Sequence, residues 1–229
     1  MRRATAVLFC LACLPAAFAG EPSAEAIPWI TSVGEAMKDA AAAGRPTFVD
    51  VWATWCVPCR QMDVTTYRDP EVVARLRGPF TALKVDADAQ PLFIERYRVE
   101  AYPTALVLDE KGEELVRYAG ALTAAQLLGL VDRVAADFET YRLARDAGDR
   151  LGVADVLLRV GNPDGAAELY RRALKGVSGP PAGRALAGLY RAEMARGRPR
   201  DAARVLERLR KEAPDQVPAD LELGTNLLP

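Results

Sequence analysis

Two cysteines, Cys56 and Cys59, stand three positions apart in the stretch "WATWCVPCRQM". A pair at this spacing can bind a metal, staple a loop or pass electrons. Zinc is a poor occupant, because a structural zinc site takes four Cys or His ligands and the chain has no histidine. The same lack rules out Ser–His and Cys–His catalysis. A staple across two residues closes so small a loop that it stabilises little. Thiol–disulfide chemistry remains, needing no cofactor and no metal beyond the two sulfurs.

The cysteine count depends on the N-terminus. Arg2 and Arg3 precede an apolar run, "ATAVLFCLACL", and then "PAAFAG". This is the pattern of a secretory signal peptide over residues 1–19, cut after Ala19. The chain is thus expected to be exported, periplasmic or otherwise, and soluble after cleavage. A lipoprotein anchor at Cys13 is the weaker alternative, since Cys10 stands where a Leu is expected. Removing Cys10 and Cys13 leaves Cys56 and Cys59 as the mature chain's pair, in a compartment where disulfides persist. The formal net charge of −1 gives no sign of a nucleic-acid partner.

A helix that begins at the pair would set their roles. Its N-terminus offers unpaired N–H groups and partial positive charge, which favour the thiolate of Cys56 as nucleophile. Cys59, deeper on the same side, would resolve a mixed disulfide, and Pro58 is tolerated in the first turn. Asp50 is the single charge in the apolar run "TFVDVWA". Buried, it would have a raised pKa and could exchange a proton with Cys59; spacing alone equally allows an edge-strand acid facing water. Pro103, after Ala101 and Tyr102, sits in a turn before a strand where a cis bond is possible; composition does not separate it from a trans proline.

The elements that would position these residues follow from periodicity. Helices are expected over 31–43, from Cys56 to about Leu76, over 90–99 and over 124–138. Strands are expected over 47–53, 80–86, 104–109 and 114–120. That order implies a mixed sheet with helices on both faces. Beyond about residue 139 strand signals vanish. Residues 20–139 carry 12 basic and 19 acidic side chains, whereas residues 140–229 carry 16 and 12; solvated helix faces account for that asymmetry. "GNPDGAAELYRRAL" at Gly161 and "GRPRDAARVLERLR" at Gly197 repeat at a period of 36. The spacing resembles tetratricopeptide (TPR) repeats, with a plain helical hairpin bundle as the alternative.

"DVWATWCVPCRQM" and "YPTALVLDEKGEELVRYAGALTAAQL" resemble the thioredoxin superfamily over roughly residues 27–136. The likeness is greatest to the C-terminal periplasmic domain of DsbD-type thiol:disulfide interchange proteins, and it includes the stretch from Tyr67 to Pro70. It implies an α/β thioredoxin fold over 20–136, and the repeat spacing adds an all-α, TPR-like domain over 137–229. It further implies Cys56 as nucleophile, Cys59 as resolving cysteine, Asp50 as buried proton carrier and Pro103 as a cis-proline beside the disulfide. Trp55 would shield the site, and backbone at Ala101 and Tyr102 would pair with an extended substrate segment. Two departures stand out. Val57 replaces the usual Gly, and Lys84 lies two positions from where the family's lysine is expected, so no relay with Asp50 is assigned. Pro58 resembles the reducing members. The function implied is reduction of protein disulfides, fed by a membrane electron donor, with the helical tail binding a protein partner. An adaptor or chaperone-like module and a disulfide oxidase or isomerase are the alternatives.

Overall fold

The near-continuous apolar run "TFVDVW" dictates a strand buried on both faces, and β1 (Thr47–Trp52) lies in the middle of a four-stranded sheet. We describe residues 26–219 of this chain from a computed structural model. The expected signal peptide, with Cys10, Cys13 and Ala19, and residues 220–229 lie outside the described residues. The strand order is β2 (Thr81–Asp86), β1, β3 (Thr104–Leu108), β4 (Glu114–Ala119). β1 runs parallel to β2 and antiparallel to β3, and β3 and β4 form an antiparallel hairpin. The sheet is therefore mixed, as expected.

Its two faces divide the side chains by parity. Phe48, Ala82, Ala105 and Val107 pack with Met62, Tyr67, Leu76, Leu127 and Val131. Those partners come from α2 (Val57–Val64), the 3₁₀ turn Thr66–Arg68, α3 (Pro70–Arg77) and α5 (Ala124–Asp146). Val49, Val51, Leu83, Val85, Leu106 and Leu108 form the other face with Ala36 of α1 (Val33–Ala43) and Phe93 of α4 (Pro91–Tyr97). Ser32 caps α1 and Gly44 ends it in the left-handed region, at φ 62°, where glycine carries no Cβ penalty.

Two helical expectations are corrected. The stretch from Cys56 to Leu76 is not one helix. α2 stops at Val64, a 3₁₀ turn intervenes, and α3 restarts where Asp69 Oδ1 accepts the N–H groups of Glu71 and Val72 ahead of Pro70. An Asp–Pro step is an N-terminus signal. The helix expected over 124–138 instead runs unbroken from a Thr123–Gln126 capping box to Asp146, so the 136/137 position falls inside it.

The rest is helical: α6 (Arg150–Val160), α7 (Pro163–Ala173), α8 (Gly183–Ala195) and α9 (Pro199–Glu212). Gly161 ends α6 at φ 98°, and Gly197 follows α8 at φ 68°. Each repeat thus has the expected glycine turn before its second helix. Asn162 sews the tail to the sheet edge, donating from Nδ2 to the Leu115 carbonyl of β4 at 2.9 Å. A partner on an edge-strand carbonyl removes a site for stray pairing.

Candidate active site

The chain leaves β1 at Trp52, turns with the Cys56 N–H donating to the Ala53 carbonyl at 3.0 Å, and enters α2. Cys56 is the N-cap of α2, and its Sγ accepts the Cys59 N–H at 3.2 Å. The two cysteines are disulfide-bonded, with Cα atoms 5.3 Å apart. Both are buried among apolar neighbours. The N-terminal geometry sets Cys56, rather than Cys59, where helix N–H groups favour a thiolate. Pro58 and Val57 occupy the first turn, with Val57 exposed.

The Tyr102–Pro103 bond is cis. Trp55 is 63% exposed and meets Tyr102 edge-on, ring centroids 5.5 Å apart. That contact brings the turn at 101–103 against the cysteine loop. Tyr102 packs on the same apolar cluster that contains both sulfurs. The Ala101 carbonyl accepts from the Thr104 hydroxyl at 2.7 Å, and the Pro103 carbonyl accepts from the Gly120 N–H at 2.8 Å. The turn is thereby held between β3 and β4, with Ala101 exposed beside it.

Asp50 is buried in the central strand, so the open choice resolves in favour of an interior acid. It is the cross-strand partner of Lys84, whose Nζ lies 3.5 Å from Asp50 Oδ2 and also bonds Asp63 Oδ1. The same ammonium lies 5.4 Å from the Trp52 ring centre, 5.6 Å from Trp29 and 5.7 Å from Tyr67. Burial raises the Asp50 carboxyl to about 6, against the pull of Lys84. Asp63 follows Cys59 by four residues on α2, hence on the same helix face. The chain Asp50, Lys84, Asp63 therefore ends one helical turn from the disulfide.

Cys56, Cys59, Trp55, Tyr102 and Pro103 are thus gathered at one end of the sheet, and Asp50 joins them through Lys84 and Asp63. Lys84 is named from sequence but stands two positions out of place for Asp50, and Asp63 is not singled out. Aligning "TFVDVW" and "TALKVD" from their threonines places Lys84 opposite Asp50, and that alignment is the register observed. The arrangement places a bonded cysteine pair at a helix N-terminus and a buried acid of raised pKa on the central strand.

Residues 33–135 match the family model described as a thioredoxin-like domain, and residues 157–221 match the tetratricopeptide repeat. Three curated relatives illustrate the likeness. A thioredoxin-like protein of Synechocystis is 36% identical over 37% of this chain and 76% of its own length. The chloroplastic thioredoxin Y1 of Arabidopsis thaliana is 36% identical over 38% of this chain and 49% of its own. The thiol:disulfide interchange protein DsbD of Haemophilus ducreyi is 33% identical over 46% of this chain. The chain spans about half the length of the Arabidopsis protein and 19% of the DsbD protein. The shared segment is the one that carries the bonded cysteine pair and the cis-proline turn, and by it this chain belongs to the thioredoxin family, with a tetratricopeptide-type helical region following.

Proposed function

We propose that this chain is an exported thiol:disulfide oxidoreductase that reduces protein disulfides through Cys56 and Cys59. One observation carries the reading: the Cys56–Cys59 bridge sits at a helix N-terminus with Cys56 Sγ receiving the Cys59 N–H. In the dithiol form the Cys56 thiolate attacks a substrate disulfide, forming a bond to one substrate sulfur and releasing the other as a thiolate that takes up a proton. Cys59 then gives its proton to Asp50 and attacks the Cys56 sulfur. The Cys56–Cys59 bond forms, the second substrate sulfur leaves, and it takes the proton from Asp50. Two electrons have passed to the substrate, and a dithiol donor must restore the pair.

Trp55, Ala101 and Tyr102 form the proposed substrate surface, exposed or half-buried beside the buried sulfurs. Export rests on the signal-like residues 1–19. Among the described residues no helix is long and apolar enough to cross a membrane. An exported reductant needs electrons carried across the membrane, so the proposed donor is a membrane protein. The proposed division is a redox unit over 20–136 and a partner-binding helical unit over 137–229, for which the repeat match is the support. The dipeptide Val57–Pro58 favours reduction over oxidation. A redox titration together with insulin reduction tests this: a low potential with turnover is expected, and a potential in the range of dedicated oxidants would overturn the direction.

The repeat match also favours an adaptor reading, in which the tail is the main function. A chain with Cys56→Ser and Cys59→Ser separates the two. Loss of the cellular phenotype supports the enzyme, and retention supports the adaptor.

A further inference from the structure

Tyr67 buries its hydroxyl beside the Asp50 carboxyl, close enough for the two groups to influence each other's ionisation but short of a well-formed hydrogen bond in this structure. A buried donor left unpaired costs the folded state free energy, and phenylalanine would fill the same space without that cost. The ring is fixed. It meets Trp29 edge-on at 5.1 Å and Phe48 at 6.5 Å, and it begins in the 3₁₀ turn that follows α2. Phe48 and Asp50 share one face of β1 by strand alternation. Lys84 Nζ lies 5.7 Å from the Tyr67 ring centre and 3.5 Å from Asp50 Oδ2. The phenol and the carboxyl therefore flank one cation. Burial and then the Asp50 charge push the Tyr67 hydroxyl well above its ordinary value, so it keeps its proton and acts only as a neutral donor.

We propose that Tyr67 is a positioning residue for Asp50, a reserve donor whose O–H bonds the Asp50 carboxylate when that carboxylate is ionised and stands idle when it is protonated. This rests on the proton-carrier role proposed for Asp50. The charged groups around the pair are Lys84 from β2 and Asp63 from α2. Lys84 divides its attraction between two acids, so a second donor to Asp50 has work to do. When Cys59 passes its proton, the S–H bond breaks, an O–H bond forms on Asp50, and the Tyr67 hydroxyl is released. When the departing substrate sulfur takes that proton back, the hydroxyl returns to the carboxylate. A donor that favours the ionised form keeps Asp50 from retaining the proton.

The test uses the full chain in disulfide and dithiothreitol-reduced forms. The Asp50 carboxyl is titrated by carbon-13 NMR, beside the pH profile of insulin reduction. In Tyr67→Phe the Asp50 midpoint should rise by about one pH unit, the size expected for losing a hydrogen bond to a charged group. The insulin profile should move with it, while thermal stability is held or gained. On an Asp50→Asn background the same change should leave the profile unmoved. In the wild-type chain the Tyr67 ring carbon that bears oxygen should shift as Asp50 titrates, a readout that needs no variant to fold. An unchanged Asp50 midpoint, or a Tyr67 carbon indifferent to Asp50, overturns the proposal. If insulin is reduced at no pH, the oxidoreductase reading falls, and the two NMR titrations still decide the role of Tyr67.

Discussion

Lys84 holds its ammonium 3.5 Å from the Asp50 carboxylate in the interior of the sheet, and strand register alone makes them neighbours. The pair does not keep Asp50 an ordinary acid, because burial outweighs Lys84 and raises it from 3.8 to about 6. The unfolded chain ionises Asp50 first, so the folded form binds more protons between those values. Stability from this residue is therefore full below about pH 4 and is lost as pH rises through about 6, by about 3 kcal/mol at most. Asp50→Asn should flatten that part of the curve and make the chain more stable than wild type at pH 7. Denaturant unfolding at pH 4, 6 and 8 checks this; an Asn chain that still loses the same stability between pH 4 and 8 would show that Asp50 is not the group responsible.

The order of the two sulfurs yields a chemical prediction. Cys56 caps α2 and accepts the Cys59 N–H, so it is the sulfur whose thiolate the helix favours. Cys59→Ala should accumulate mixed disulfides with substrate proteins that dithiothreitol releases, whereas Cys56→Ser should accumulate none. Non-reducing gels of exported extracts read the difference. Equal trapping by both variants would remove the assignment of Cys56 as the attacking residue.

How far these features were legible in the sequence follows from how local they are. The strands read correctly because alternation and parity are properties of consecutive residues. The glycine turns of the tail read correctly because Gly161 and Gly197 stop helices by conformation alone. The break in the 56–76 stretch carried a local signal at Asp69–Pro70, overshadowed by a continuing apolar period. Lys84 was named, but its pairing with Asp50 was obscured because the two lie in different strands, and only register brings them opposite. The length of α5 was obscured for the opposite reason. Composition changes near residue 139, yet no Gly or Pro stands between Gly129 and Gly148, so nothing in the chain stops the helix.

That uninterrupted helix has a cost for anyone dividing the chain. Asp109, fully buried at the end of β3, accepts from the Lys111 and Glu113 N–H groups, from the Tyr141 hydroxyl at 3.2 Å and from Arg145 at 2.7 Å. Arg145 also bonds Glu110 at 2.6 Å. A chain ending at residue 136 loses both side-chain donors and leaves the Asp109 carboxylate with only the N–H groups of the β3–β4 turn. Breaking a buried pair by removing one partner costs about 3–5 kcal/mol. The shorter chain should thus unfold well below one ending at residue 147, and Arg145→Met in the full chain should reproduce much of the loss. Thermal unfolding of the three chains decides it, and equal midpoints for the 136 and 147 chains would show that the lock contributes little.

The tail offers a last test, of how its helices approach. Gly188 of α8 is buried, and a Cβ built there would run into the Tyr170 ring of α7. Tyr170 is itself buried and tied through its hydroxyl to Asp155 of α6, so the ring has little room to retreat. Two effects then oppose each other in Gly188→Ala. Alanine gains about 1 kcal/mol of helix propensity over glycine, and overpacking a filled core costs about 1–3 kcal/mol. With the ring clamped on one side by Asp155 and on the other by α8, overpacking should win and the tail should melt earlier. Adding Tyr170→Leu should return part of the loss, because the smaller side chain vacates the space the new methyl needs. Circular dichroism melts of the single and double variants measure both steps. A Gly188→Ala chain more stable than wild type would mean that α7 and α8 yield to the methyl, and that close approach is not what holds the repeat together.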